Sequence, residues 1–274
     1  MGIHPINQNP KLEKINLFSV TPGDYSSIND WINSLDSGIA LLNENSLVNL
    51  DILDQTQVTR KEGVNLDKMR GNKGVLSLIN LMKSKKNISF FPGTLLRNYG
   101  HFFVPTMPII INGELKQEKI KQTGSVYVDN YRELARNFLG QKASEGVSPH
   151  GGVFYEEPLK SLMEKVNQDV NKRKERSLNS FNINGLQVLP IICNEFPIIA
   201  EKYRGPKLDV LLHSCSDYFE NSDEREKKYS KYLDRLGSRG KLEKEVILAS
   251  SEVNGKYLNT FRYLYSQGKL NKIE

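Results

Sequence analysis

Cysteine is scarce in this chain: 274 residues contain two, Cys193 and Cys215. A disulfide framework is therefore excluded as the source of stability. Long apolar runs are missing too, and none approaches the ~18 residues that a membrane-spanning helix needs. The opening MGIHPINQNPKLEK holds no basic-then-apolar block. No secretory signal is expected, and the cytoplasm is the expected location. Histidine is limited to His4, His101, His150 and His213, which form no cluster with metal-ligand spacing. The glycine-rich SPHGGV at 148–153 lacks the lysine and serine of a phosphate-binding loop, so no nucleotide is expected. Basic residues outnumber acidic ones by only 38 to 32, a net charge of +6. The two signs are interleaved, as in 165–176 (KVNQDVNKRKER) and 224–235 (EREKKYSKYLDR). Such stretches read as solvated helix faces, and nucleic acid is not an expected partner.

What is present is an alternation of strand and helix patterns. Residues 14–20 (KINLFSV) read as a strand ended by Pro22-Gly23. Residues 25–35 then carry Ile28, Trp31, Ile32 and Leu35 at helical spacing, with Asp24 as the cap. A strand at 38–42 (GIALL), a polar loop over 50–72, a helix at 73–83 and a strand at 87–91 (NISFF) follow. The segment 108–112 (PIIIN) turns at Asn112-Gly113 into a partner strand at 114–122, a hairpin pattern. Residues 123–180 are polar, with helices expected at 129–139 and 159–170. Beyond them come strands at 187–193 and 209–213 with a helix at 196–203 between them. Helical segments at 225–236 and 242–245 and a last strand at 246–250 (VILAS) complete the pattern. Repeated strand–helix–strand units predict a single-domain α/β fold with helices on both faces.

Cys193 stands where an apolar strand breaks, in PIICNEFP. A side chain at a strand-to-helix corner points off the sheet near the carboxyl ends of the strands, where open α/β sheets bind ligands. The next backbone N–H, that of Asn194, is placed to donate to an oxyanion. Taken together, KINLFSV, GIALLNE, NISFFPGT, IIINGELKQEKIKQT, LQVLPIICNEFP, DVLLHSCSDYF and SRGKLEKEVILASSEVNG form an ordered series. That series resembles the nitrilase superfamily of carbon–nitrogen hydrolases over residues 14 to about 258. The resemblance implies a four-layer α-β-β-α sandwich, no cofactor, no metal and a homodimer packed through outer helices. It also implies a catalytic triad of Glu44, Lys121 and Cys193.

Glu44 follows GIALLN, where Asn43 stands in place of the family's proline. Lys121 lies in the returning strand of the hairpin, and Lys119, two residues earlier on the same side, competes for the role. If Lys121 holds the role, an alanine at Lys119 is expected to be nearly silent. The long step from Lys121 to Cys193 implies an insertion within 123–180, where Glu133, Glu145, Glu156 and Glu157 are candidates for an auxiliary acid. Glu195 and Phe196-Pro197 match residues that commonly follow the family's cysteine. In such a triad the glutamate takes the thiol proton, and an ammonium beside a thiol favours its ionised form. The thiolate attacks an amide carbonyl, and each oxyanion donor contributes roughly 3 kcal/mol. The expected reaction is hydrolysis of a small-molecule or acyl amide through a thioester. Acyl transfer to an amine on the same fold is the alternative, and an inactive nitrilase-like scaffold is the third reading. His213, at the end of the next strand, is expected to pack or line the pocket, and Cys215 to be an unreactive neighbour.

Overall fold

Period-two apolar patterns become strands in the computed structural model, which describes residues 15–21, 23–44, 46–47, 73–98, 103–121, 178–215, 222–254 and 257–273. The first sheet holds β1 (Ile15–Phe18), β2 (Gly38–Leu42), β3 (Ile88–Phe91), β4 (Leu95–Asn98), β5 (Phe103–Ile111) and β6 (Glu114–Ile120). Strands β1, β2 and β3 run parallel, while β5 pairs antiparallel with β3, β4 and β6. The second sheet holds β7 (Phe181–Ile183), β8 (Leu186–Ile192), β9 (Leu208–Cys215), β10 (Leu242–Asn254), β11 (Tyr257–Ser266) and β12 (Lys269–Ile273). Its centre, β8, β9 and β10, is parallel and its flanks are antiparallel.

Side-chain alternation along the strands decides the layering. Ile39 and Leu41 of β2 and Met107 and Ile109 of β5 pack against Val188, Ile192, Val210, Leu212 and Ile247 of the second sheet. The alternate residues face outward. Ala40 and Leu42 meet Ile28 and Ile32 of helix α1 (Tyr25–Ser34) and Met82 of α2 (Lys73–Ser84). Leu189, Ile191, Leu211 and Leu248 meet Ile199 of α3 (Phe196–Lys202) and Tyr229 and Leu233 of α4 (Ser222–Ser238). Helix, sheet, sheet and helix stack in that order, the expected α-β-β-α sandwich. Parallel strands buried on both faces read as continuous apolar runs, which is why GIALL, LPII and DVLL stand out in the sequence. At the start of α1 the Asp24 carboxylate accepts the Ser27 N–H at 3.1 Å, the expected cap.

Three corrections to the sequence reading concern the second sheet. Residues 242–245 (LEKE), expected as helix, open the long strand β10. Good helix formers are overridden there by pairing, since Leu242 stands opposite Leu208 of β9 before a bulge restores the register at Ile247. The strand at 246–250 is not the last: β11 and β12 follow as an antiparallel hairpin. Their turn, Gln267-Gly268, has φ of 52° and 74° at its two central residues, the geometry of two-residue hairpins. Helix 224–235 is not wholly a solvated face, because Tyr229, Leu233 and Arg225 are buried. The expected loop over 50–72, the insertion within 123–177 with its helices, and Glu133, Glu145, Glu156, Glu157, His4, His101 and His150 lie outside the described residues.

Hydrogen bonds sew the two sheets together near the ends of β1 and β2. Ser214 Oγ on β9 donates to the Leu42 carbonyl at 2.8 Å, and Ser251 Oγ on β10 donates to the Phe18 carbonyl at 2.6 Å. The Arg262 guanidinium on β11 donates to the Ile15 carbonyl at 3.0 Å. Leu212→Ala removes volume from the closed inter-sheet layer and is expected to cost about 2–5 kcal/mol in denaturant unfolding. Leu258→Ala, at a side chain 43% exposed, is expected to stay within about 0.5 kcal/mol of the parent. Equal effects would show that the layer between the sheets is not the principal core.

Candidate active site

Glu44 owes its position to the residue before it. β2 ends at Leu42, and the fully buried Asn43 then accepts the Val20 N–H on Oδ1 at 2.8 Å and donates from Nδ2 to the Glu44 carbonyl at 2.9 Å. Asn43 thus ties the residues just past the ends of β1 and β2 together. Across the turn, Gly93 has φ of 77°, and a Cβ there would lie 2.3 Å from the Asn43 carbonyl oxygen. Only glycine fits that approach. Ser46 Oγ donates to the Pro92 carbonyl at 2.7 Å and closes the same turn.

Lys121 follows β6 directly. Its Nζ lies 2.6 Å from Glu44 Oε1, and both side chains are completely buried. Burial alone would push the ammonium toward its neutral form. Attraction to Glu44, to Cys193 and to Glu195 opposes this and leaves the Lys121 pKa above the ordinary lysine value. Lys119 reaches a different carboxylate: its Nζ lies 3.0 Å from Glu195 Oε2, again with both groups fully buried. That contact is an ion pair without hydrogen-bond alignment. Glu195 also accepts the Ile192 N–H at 2.8 Å, so it clasps the turn that carries the cysteine.

Cys193 ends β8 and opens a short 3₁₀ turn, Cys193–Glu195, that leads into α3. Its φ is +48°, left-handed backbone in a residue with a Cβ. A strand-to-helix corner of this kind turns the side chain off the line of the sheet. Cys193 as a whole residue is 7% exposed, and it is one of the residues around a small cavity of about 40 Å³, with Asn194, Phe196, His213 and Tyr232. Asn194, whose N–H follows the thiol, is exposed.

His213 meets the backbone of Cys193. Its Nε2 lies 2.9 Å from the Cys193 carbonyl, which can only accept, so that nitrogen carries the proton. Its Nδ1 lies 2.7 Å from the Tyr229 hydroxyl. From there the network runs inward: Tyr229 donates to Glu252 Oε1 at 3.0 Å, and Ser250 Oγ donates to the same oxygen at 2.9 Å. Arg225 Nη2 closes it at 3.0 Å from Glu252 Oε2, with its guanidinium 4.2 Å above the Phe261 ring. Burial pushes the Tyr229 phenol well above its ordinary value, with the Glu252 charge adding to the effect. Of these groups the sequence singles out only His213. Tyr229 and Arg225 sit in a charged helical stretch, and Glu252 lies past the end of the recognised strand. Among the described residues, no group of three or more His, Cys, Asp or Glu is disposed to hold a metal ion, and no helix is long and apolar enough to cross a membrane.

The expected silence of Lys119→Ala concerns amide turnover; for stability the buried ion pair gives a different expectation. Lys119→Ala would strand the Glu195 carboxylate in the interior without its cation. The expected loss is about 3–5 kcal/mol of unfolding free energy. Pairing it with Glu195→Gln keeps an acceptor for the Ile192 N–H and should restore a large part of that loss. Denaturant unfolding of the single and double variants tests it, and additive effects would mean that the two side chains do not interact.

No family model and no curated protein matches the sequence. Solved structures do match over most of the chain. A CN-hydrolase superfamily protein from Xanthomonas campestris, with an arsenic adduct in its active site, aligns with a TM-score of 0.50 at 12% identity, over 94% of this chain and 85% of that one. The amidase from Nesterenkonia sp. AN1, in a mutant whose active-site cysteine carries the acetamide moiety of fluoroacetamide, aligns with a TM-score of 0.52 at 13% identity, over 93% and 83%. A glutamine-dependent NAD(+) synthetase from Cytophaga hutchinsonii aligns with a TM-score of 0.53 at 13% identity, over 95% of this chain and 40% of that larger one. With its two sheets face to face and its helices outside, this chain has the carbon–nitrogen hydrolase fold that the sequence resemblance implies.

Proposed function

We propose that the protein is a cysteine-dependent amidohydrolase that cleaves a non-peptide C–N bond of a small-molecule or acyl amide. The observation that carries this reading is the fully buried Glu44–Lys121 pair at 2.6 Å, with Cys193, in left-handed backbone, among the neighbours that bear on Lys121. A carboxylate, an ammonium and a thiol held together away from water are a base, an oxyanion donor and a nucleophile. The amidase of the same fold, modified on its active-site cysteine by fluoroacetamide, supports the assignment of Cys193 as nucleophile.

Glu44 takes the Cys193 proton as the sulfur attacks the amide carbonyl carbon. The tetrahedral oxyanion is met by the Lys121 ammonium and the Asn194 N–H. Glu44 returns the proton to the departing nitrogen, ammonia or an amine leaves, and a thioester remains on Cys193. Water then attacks the thioester, with Glu44 taking its proton, and the acid is released as the thiol reforms. An amine in place of that water would make the same residues an N-acyltransferase. No step calls for a cofactor.

Ammonia or amine release from a broad amide panel tests the reading. Cys193→Ala should abolish turnover, and Lys121→Ala should lower it by roughly 10²–10³, the effect of one lost oxyanion donor. An acyl adduct should be found by mass spectrometry on Cys193 and not on Cys215. Faster transfer to hydroxylamine than to water would favour the transferase. A wild-type protein that releases nothing and forms no adduct would be the inactive scaffold.

A further inference from the structure

We propose that Cys193 and Cys215 together form a dithiol redox site, in which hydrogen peroxide oxidises Cys193 and Cys215 converts the product to an intramolecular disulfide. The register of β8 on β9 brings them together. The parallel ladder pairs Ile191 with His213 and Ile192 with Ser214, and Cys193 and Cys215 are the residues that directly follow that last pair. Neighbouring strands lie about 4.8 Å apart, which falls within the roughly 4.4–6.8 Å of Cα separation that a disulfide spans. Both side chains belong to the same packed cluster between the sheets, and Cys193 is among the neighbours that hold the Cys215 thiol in its protonated form. Among the described residues these are the cysteines, both outside any disulfide and both buried.

The two residues differ in access. Cys193 lines the cavity of about 40 Å³, room for a molecule of peroxide size, whereas Cys215 has no exposure and does not line it. Burial holds the Cys215 thiol well above its ordinary pKa, and Cys193 and the nearby Glu252 charge act in the same direction. Peroxide therefore meets Cys193, and Cys215 keeps its proton until Cys193 is oxidised. The Cys193 sulfur attacks one peroxide oxygen: an S–O bond forms, the O–O bond breaks, and the expelled hydroxide takes up the thiol proton as water. Cys215 then attacks the sulfenic sulfur: an S–S bond forms, the S–O bond breaks, and the hydroxyl leaves as water with the Cys215 proton. Two thiols lose two electrons, and one peroxide becomes two waters. An accessible thiol beside a resolving one is spared the irreversible sulfinic and sulfonic acids. This inference goes beyond the amidase reading. Its readout is the covalent state of two sulfurs, so it can fail or succeed whether or not any amide is cleaved.

The experiment exposes the purified full chain to a graded excess of hydrogen peroxide, blocks free thiols under denaturing conditions and maps the peptides by mass spectrometry. The expected product is a Cys193–Cys215 linked peptide pair, two hydrogens lighter than the reduced pair and returned to it by dithiothreitol. In Cys215→Ser the same dose should carry Cys193 on to sulfinic and sulfonic acid, at least several-fold faster than in the parent. The wild-type map alone decides the matter if that variant folds poorly. Overoxidised Cys193 with no linked peptide in the wild-type protein would overturn the proposal, as would linkage found only between separate chains.

Discussion

Two ammonium groups and two carboxylates lie fully buried where the two sheets meet, and much of the local architecture can be understood as the means of keeping them there. Removing an ion from water costs several kcal/mol, and a partner repays that only when it is held in place. The frame that holds Glu44 is made of short polar links: Asn43 bridging two strand ends, Ser46 on the Pro92 carbonyl, and Gly93 admitting the close approach of the Asn43 oxygen. Ser214 and Ser251 add the cross-sheet links that stop one sheet sliding on the other. Each link is modest, about 1 kcal/mol net. Their joint effect is geometric, because displacing any of these elements would separate a charge from its counter-charge.

The parallel strands impose a second order on the same region. Glu44, Cys193, Cys215 and Glu252 all lie at or just beyond the carboxyl ends of parallel strands, the edge at which open α/β sheets place their chemistry. Lys119 and Lys121 come from the antiparallel partner β6 and close the arrangement from the first sheet. Behind the cysteine, the chain from His213 through Tyr229 to Glu252 and Arg225 fixes the Cys193 carbonyl from the far side. Glu195 clasps the Ile192 amide on the near side. A strained residue survives only when its surroundings over-determine it, and here it is held from both directions.

Most of the core was legible in the amino-acid sequence because parallel strands buried on both faces leave an unmistakable apolar signature. GIALL, ISFF and LPII are such runs, and the layers follow from them. The antiparallel edge was not legible. β11 and β12 alternate aromatic, polar and basic residues on a half-exposed face, and the opening LEKE of β10 has the local preference of a helix. Pairing with a distant strand decided both. At the candidate site, the contact between Lys121 and Glu44 joins two residues that the sequence singles out, whereas the Lys119–Glu195 pair joins residues that no local pattern connects. Buried ion pairs formed across a fold leave no periodicity in sequence. Tyr229 and Arg225 were hidden for a related reason, since one buried stripe on a lysine-rich helix is averaged away by its solvated neighbours.

The left-handed backbone at Cys193 bears on how such a site can be lost over evolutionary time. A side chain in that conformation costs roughly 1–2 kcal/mol, and glycine alone escapes the cost. Drift at position 193 is therefore asymmetric. Replacement by glycine would relax the turn while discarding the sulfur, so a lineage no longer selected for the chemistry could gain stability by abandoning it. A cysteine kept at that position is kept at a cost in stability.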